Sequence, residues 1–281
     1  MKIIDTHQHL WDLEQFSYSW TKNIPALNRS FRMEDYLAAA RGVEIDCTVH
    51  LEADVDEPHM PGETRWILSL AERDDNPLEG VVACARPEHA GFEDYLRGIV
   101  HPKLKGIRRV LHVAPDETSE TPGFTENLRL LEKYNLSFDL CVLARQLPIA
   151  IRLVRACPNV QFILDHCGNP LIKEQVMEPW CSQIRELAGY PNVACKISGI
   201  VTNADWQHWT PEDLRPYVNE VIAAFGWDRV MFGSDWPVCT LAADFQRWVA
   251  ALMTLTNEAG AANQQKLFQL NARKIYRLDQ Q

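Results

Sequence analysis

Two histidines separated by one residue lie near the start of the chain, in the segment DTHQH at positions 5–9. This segment belongs to a predicted β-strand. Alternate side chains of a strand point to the same side, so His7 and His9 are expected to face together. Two imidazoles placed in this way could hold a metal ion or donate hydrogen bonds to one oxyanion. The alternative is a chance pair of histidines on a structural strand.

Two further reactive groups follow apolar runs later in the chain. His166 lies in the segment FILDHCG at 162–168, and Asp235 lies in the segment MFGSDWP at 231–237. Both runs are predicted strands, so both side chains are expected at strand C-terminal ends. A core histidine and an aspartate that caps the next turn are the structural alternatives. Because His7, His9, His166 and Asp235 all fall at predicted strand ends, a shared site is the favoured interpretation.

Charged residues near other predicted strand ends form a weaker group of candidates. Arg108 and Arg109 lie on the fourth apolar run, Lys196 lies on the seventh, and Glu52 ends the second. Only one of the two neighbouring arginines can face the site if the strand is regular. Taken singly, each of these residues is better explained by a structural role.

Short β-rich runs alternate with helical segments along the 281 residues. The predicted strands are 2–9, 47–53, 80–85, 104–111, 137–143, 161–166, 193–198 and 230–234. The predicted helices are 33–41, 63–73, 125–134, 145–157, 211–225, 243–257 and 263–276. This alternation favours an α/β fold, a single somewhat irregular (β/α)₈ TIM barrel over residues 1–281. An open doubly wound sheet is the alternative, but no GxGxxG motif follows the first strand.

Composition excludes several classes of protein. Lysine and arginine number 28 against 38 acidic residues, and the net charge of −10 argues against nucleic acid or an anionic membrane as partner. The chain contains no run of eighteen apolar residues, so no transmembrane helix is predicted, and the N-terminus is not typical of a signal peptide. The eight cysteines are scattered and form no CxxC pair. Reduced core thiols in a cytoplasmic protein are therefore expected.

The motifs DTHQHLWD, LKGIRR, FILDHCGNP, CKISG and MFGSDWPV together resemble the amidohydrolase superfamily. The similarity extends over nearly the whole chain. More narrowly, the chain is similar to the lactonase branch, which includes hydrolases of L-fuconolactone and L-rhamnonolactone and 2-pyrone-4,6-dicarboxylate lactonase. The resemblance implies a hydrolase in carbohydrate metabolism that acts on a small-molecule lactone. A homo-oligomer is compatible with it.

The chain departs from the binuclear members of the superfamily at two positions. Those members carry a carbamylated lysine at the end of the fourth strand, where this chain has RVLH at 109–112. Metal-dependent members also have a histidine at the end of the fifth strand, and none occurs in 138–144. No cofactor is therefore expected to be required. One weakly bound divalent metal such as zinc remains open, with His7, His9 and Asp235 as its partial shell.

The resemblance also implies roles for individual residues. Asp235 would take a proton from the attacking water and return it to the leaving alkoxide, while His7, His9 and His166 would donate hydrogen bonds to the carbonyl oxygen. The residues expected to contact the substrate are Arg108, Arg109, Glu52, Lys196, Trp236 and Trp11. Tryptophan faces suit the apolar faces of sugar rings. Two rival interpretations are a zinc-dependent decarboxylase of the same superfamily and a non-catalytic barrel that binds a sugar acid or a protein.

Overall fold

Eight parallel strands form one sheet in sequence order in the computed structural model, which describes residues 1–278. The strands are β1 (Ile3–Gln8), β2 (Ile45–Leu51), β3 (Leu78–Cys84), β4 (Leu104–Val110), β5 (Ser137–Cys141), β6 (Phe162–Leu164), β7 (Val193–Ser198) and β8 (Val230–Gly233). The first and last strands meet, with a parallel bridge between Gln8 and Trp236. This arrangement confirms the predicted (β/α)₈ barrel. The predicted domain runs to residue 281, and its last three residues lie outside the described part.

Helices follow the strands around the outside of the barrel. They are α1 (Met33–Ala39), α2 (Met60–Ala71), α3 (Phe92–Ile99), α4 (Pro122–Tyr134), α5 (Leu147–Ala156), α6 (Trp180–Ala188), α7 (Pro211–Phe225), α8 (Phe245–Leu255), α9 (Ala261–Gln265) and α10 (Asn271–Tyr276), with a π-helical turn at Lys266–Leu270. The start of α7 was predicted correctly, because Thr210 and Asp213 form a capping box. None of these helices of residues 1–278 is long and apolar enough to span a membrane.

Two helices were not predicted from the sequence. The buried side chains of α3 recur at positions 92, 96 and 99, and those of α6 at 180, 184 and 187. Both sets follow the i, i+4, i+7 spacing of an amphipathic helix, so the sequence contained a signal for each helix. Both helices are short, with 8 and 9 residues, and charged side chains interrupt their apolar residues.

The barrel interior is filled by apolar side chains at one end and by polar side chains at the other. Ile4, Val49, Met231 and Tyr276 belong to one buried apolar cluster. Since Tyr276 lies on α10 and Ile4 lies at the start of β1, this last helix closes the N-terminal end of the barrel. All eight cysteines are buried and form no disulfide bond within residues 1–278, as expected for core thiols. The C-terminal end of the strands remains open and carries the reactive groups.

Candidate active site

A network around Asp5 joins the first and last strands at the C-terminal end of the barrel. The Asp5 carboxylate accepts hydrogen bonds from the Ser234 backbone N–H at 2.7 Å and from the Ser234 hydroxyl at 2.6 Å. The Asp235 backbone N–H donates to the His7 carbonyl at 2.8 Å. These bonds fix His7 and Asp235 side by side, although 228 positions separate them in the sequence. The aspartate and serine of the DTHQH and GSDWP motifs are therefore positioning residues.

Left-handed turns aim two of the predicted side chains into the barrel mouth. β6 ends at Leu164, earlier than predicted, and His166 lies in a turn with φ of 53°. Asp235 has φ of 59° directly after β8. Positive φ is uncommon for non-glycine residues and concentrates at functional sites. A Cβ atom at Gly199 would lie 2.5 Å from Asp235 Oδ2 and 2.7 Å from His166 Nδ1, so only glycine fits between them.

The structure brings together the four residues that the sequence singled out. Asp235 Oδ1 lies 3.3 Å from His9 Nε2, 3.6 Å from His7 Nε2 and 4.0 Å from His166 Nε2. All four side chains are largely buried, and His9, His166 and Asp235 line the same cavity. A carboxylate thus lies among three imidazoles at one point of the barrel mouth.

Each of the three histidines has an acceptor next to Nδ1, on the side away from Asp235. His9 Nδ1 lies 2.9 Å from the Leu51 carbonyl, and His166 Nδ1 lies 3.1 Å from the Ser198 carbonyl. His7 Nδ1 faces an oxygen of Asp165 at 3.3 Å. The Ser198 hydroxyl also lies 3.0 Å from His166 Nδ1 and can donate or accept there. With Nδ1 held in this way, the Nε2 atoms of all three rings converge on the region of Asp235.

A buried ion network lies behind His7. Lys196 and Asp139 are fully buried, and Lys196 Nζ lies 2.5 Å from Asp139 Oδ2 and 3.1 Å from Asp165 Oδ1. Burial acts to raise the pKa of Asp165, but Lys196 and His7 outweigh it and hold that pKa well below its usual range. Burial lowers the pKa of His7 well below its usual range, although Asp165 opposes this. His7 is therefore neutral, and the ionised Asp165 orients it.

The structure places Lys196 and Glu52 away from the cavity wall, which corrects their predicted contact with the substrate. Lys196 is committed to two carboxylates, as described above. Glu52 is buried and accepts the Arg108 Nε–H bond at 2.6 Å. Both charges are compensated inside the protein, since an unpaired buried charge is costly. Glu52 therefore orients Arg108, while Lys196 orients Asp165.

Arg108 faces the site, whereas Arg109 points away from it. Arg108 lines the cavity, and its Nη1 atom lies 3.3 Å from His7 Nε2. Arg109 donates to Glu88 at 2.8 Å and is not among the residues that line the cavity within 1–278. The alternation of side chains along β4 explains why only one of the two arginines reaches the mouth.

A cavity of about 350 Å³ opens in front of Asp235. Its wall includes residues that the sequence analysis did not identify: Trp20, Asp54, His112, Cys141, Asn169 and Asn203. His112 Nδ1 and Cys141 Sγ lie 3.1 Å apart, and burial raises the pKa of this thiol beyond the physiological range. The thiol is therefore protonated and a poor nucleophile. The size of the cavity suits one small ring compound.

The predicted tryptophan contacts require a correction. Trp11 is fully buried against Trp20 and Phe31, and Trp236 is 2% exposed and packs against Phe31 and Tyr36. Backbone hydrogen bonds between Trp11 and Phe31 hold the first loop in this packing. The tryptophan that lines the cavity is Trp20, which lies in the same loop.

The donor set fits one divalent cation. Among residues 1–278, His7, His166 and Asp235 each offer a ligand atom, and these atoms lie within 4.8 Å of one another. The predicted shell contained His9 in place of His166, and His9 Nε2 also lies next to Asp235. Imidazoles whose Nδ1–H groups are bound by outer acceptors are typical metal ligands. The positive charge of Arg108 beside His7 Nε2 opposes tight binding of a cation.

Comparisons with known proteins agree with this fold. The amidohydrolase family profile matches residues 4–278, so the chain belongs to the amidohydrolase family. An uncharacterised protein of Sinorhizobium fredii is 34% identical, and the alignment covers 98% of both chains. An L-fucono-1,5-lactonase of Burkholderia ambifaria is 31% identical over 98% of this chain and 96% of its own. An amidohydrolase structure from Burkholderia multivorans with bound zinc has a TM-score of 0.90 at 26% identity, covering 99% of each chain.

Proposed function

We propose that the protein is a hydrolase that opens the ester ring of a small sugar lactone, of the L-fuconolactone or L-rhamnonolactone kind. The main support for this proposal is the position of the Asp235 carboxylate, which lies among three imidazoles and faces a cavity of about 350 Å³. The similarity to the L-fucono-1,5-lactonase of Burkholderia ambifaria supports the same substrate class. A cytoplasmic location and a homo-oligomeric state stay predictions.

Asp235 is the general base in this proposal. A water molecule held by the Asp235 carboxylate and the neighbouring Nε2 atoms gives a proton to Asp235, and its oxygen attacks the lactone carbonyl carbon. When the tetrahedral intermediate collapses, the bond between this carbon and the ring oxygen breaks. Asp235 returns the proton to the leaving ring oxygen. The product is an open-chain hydroxy acid, and Asp235 ends in its starting state.

Arg108 is best placed to polarise the carbonyl. Four hydrogen bonds from its guanidinium reach other groups, namely the side chain and carbonyl of Glu52, His7 Nε2 and Asp165. A guanidinium has five N–H donors, so within residues 1–278 one remains for the substrate. The predicted role of the histidines as further hydrogen-bond donors to this carbonyl stays part of the proposal. A divalent cation held by His7, His166 and Asp235 would supply Lewis-acid polarisation of the same carbonyl.

Asp235→Asn tests the proposal. Asparagine has nearly the same shape and, like aspartate, tolerates the left-handed backbone that this position requires. It cannot accept the proton from water, so kcat for the best sugar lactone should fall about 10²–10⁴-fold. A pH-indicator assay measures kcat and KM, and circular dichroism confirms that the variant is folded.

Asp74→Asn is the matched control, because Asp74 is exposed and precedes β3 at the opposite end of the barrel. This control should retain the kinetic constants of the wild type. A folded Asp235→Asn variant with wild-type turnover would remove Asp235 from the catalytic role and leave His166 as the candidate base. A wild-type protein that opens none of a panel of sugar lactones would refute the proposed function.

A further inference from the structure

Ala53 and Asp54, which follow β2, form part of the cavity wall, and their backbone is held from several sides. The Asp54 backbone N–H donates to Glu52 Oε2 at 2.7 Å. The Ala53 carbonyl accepts the Trp20 indole N–H at 2.7 Å, and the Glu52 carbonyl accepts an Arg108 N–H at 2.6 Å. Asp54 has φ of 51°, in the left-handed region. These contacts fix the direction in which the Asp54 side chain leaves the backbone.

The Asp54 carboxylate differs from its acidic neighbours because it has no donor. It lines the cavity, and no group among residues 1–278 donates a hydrogen bond to it. Glu52 and Asp165, in contrast, are both bound by Arg108. Because Asp54 is half-buried, its carboxylate is open to hydrogen bonds from water or from a ligand. The free acceptor therefore points to a donor that enters the cavity.

The protonation state of Asp54 suits an acceptor at neutral pH. Burial and then the charge of Glu52 raise the pKa of Asp54 to about 6, and Arg86, Arg108 and Arg109 act against this rise. The group is therefore mostly ionised at pH 7. A charged acceptor forms stronger hydrogen bonds with hydroxyl groups than a neutral acceptor does.

An aromatic ring lies beside this carboxylate. The Trp20 indole lines the same cavity, and its N–H is already bound to the carbonyl of the residue before Asp54. Its edge-on contact with Trp11, at 5.5 Å between ring centroids, also holds the ring in place. A fixed indole offers apolar surface to C–H groups, and the carboxylate offers acceptors to hydroxyl groups. A hydroxylated ring presents both kinds of group together.

We propose that Asp54 is the specificity residue of the site: it accepts hydrogen bonds from ring hydroxyls and so selects neutral, hydroxylated lactones over lactones that carry carboxylates. This inference rests on the proposed function. A carboxylate substituent placed near Asp54 would meet a like charge. Arg108, the one arginine that lines the cavity within residues 1–278, keeps one N–H donor for the lactone carbonyl, but its single positive charge is already balanced by Glu52 and Asp165 and would not neutralise a further carboxylate.

Two lactones with the same six-membered ring test the proposal. A sugar 1,5-lactone carries hydroxyl groups, whereas δ-valerolactone carries none. Asp54→Asn retains the size and the backbone preference of Asp54 and removes its charge. We expect kcat/KM for the sugar lactone to fall about 10–100-fold, mainly through KM, because the lost bonds involve a charged acceptor. For δ-valerolactone, kcat/KM should stay within about twofold of the wild type, as it should for both lactones in Asp74→Asn.

The outcomes separate this inference from the proposed function. An equal loss on both lactones would show that Asp54 acts on the catalytic groups through Glu52 and Arg108, and it would overturn the specificity role while the lactonase function stands. No loss on the sugar lactone would also overturn it. If the wild-type protein hydrolyses 2-pyrone-4,6-dicarboxylate as fast as the sugar lactone, the proposed selection against carboxylates is wrong. If the wild-type protein hydrolyses neither the sugar 1,5-lactone nor δ-valerolactone, both proposals are refuted.

Discussion

Lys196→Met is the substitution that best distinguishes the buried network from a substrate contact. Lys196 is fully buried, and its ammonium group lies between Asp139 and Asp165. Methionine fills a similar unbranched volume but removes the positive charge. Two carboxylates then remain buried without the cation that compensated them. Breaking a buried ion pair in this way costs about 3–5 kcal/mol of unfolding free energy.

Activity should fall together with stability. Asp165 faces His7 Nδ1 at 3.3 Å and orients it, and Lys196 stabilises the ionised form of Asp165. Loss of such an outer contact typically costs about 10–100-fold in activity. The loss should appear in kcat, because Lys196 does not reach the cavity. Urea unfolding and steady-state kinetics on a sugar lactone measure the two effects.

The pH dependence provides the sharper test. Without Lys196, the pKa of Asp139, which burial already raises, should rise further, and the pKa of Asp165 should rise from its low folded value to above the unfolded value of about 3.9. A raised carboxyl pKa gives stability that is present at low pH and is lost as the pH rises through the folded value. The destabilisation relative to wild type should therefore grow by about 1–2 kcal/mol between pH 5 and pH 8. Unchanged stability with a raised KM would refute this reasoning and restore Lys196 as a substrate contact.

Two further predictions concern the site itself. Gly199→Ala would place a Cβ atom 2.5 Å from Asp235 Oδ2 at a residue with φ of 61°, so kcat should fall about 10²-fold or more in a protein that still binds lactone. Wild-type kcat in this variant would contradict the geometry. Dialysis against a chelator should leave lactone turnover largely unchanged, because Arg108 lies 3.3 Å from His7 Nε2 and opposes a tightly held cation. Stoichiometric metal by mass spectrometry after dialysis, with activity lost on its removal, would contradict this expectation.

The barrel and the reactive cluster could be predicted because each depends on local signals. Apolar runs such as 162–164 and 230–232 define buried strands, and a histidine or aspartate directly after such a run lies at the open end of a parallel barrel. His166 and Asp235 were found in this way. Their left-handed turns were not predicted, because positive φ at non-glycine residues has only a weak sequence signal.

The partners of the buried charges could not be predicted from the sequence. Lys196 and Asp139 are 57 positions apart, and Glu52 and Arg108 are 56 positions apart, so only the closed barrel brings them together. A charged residue at a strand end gives the same sequence signal whether it binds the substrate or forms an ion pair with a residue of another strand. Asp54 was not predicted for a related reason, since it lies three residues beyond the end of β2, and Glu52 is the acidic residue directly at the strand end.

The charge balance of the site bears on product release. Behind the cavity, Glu52, Asp139 and Asp165 form salt bridges within residues 1–278 with two cations, Arg108 and Lys196, and the charge of Arg86 also acts on Glu52. The cavity wall itself adds two more carboxyl groups, Asp54 and Asp235. A sugar lactone is neutral, whereas the open-chain acid that its hydrolysis yields is an anion at neutral pH. If Asp54 selects against carboxylated lactones, the same excess of negative charge also weakens binding of the product, so ring opening converts a neutral ligand into an anion that the cavity wall repels.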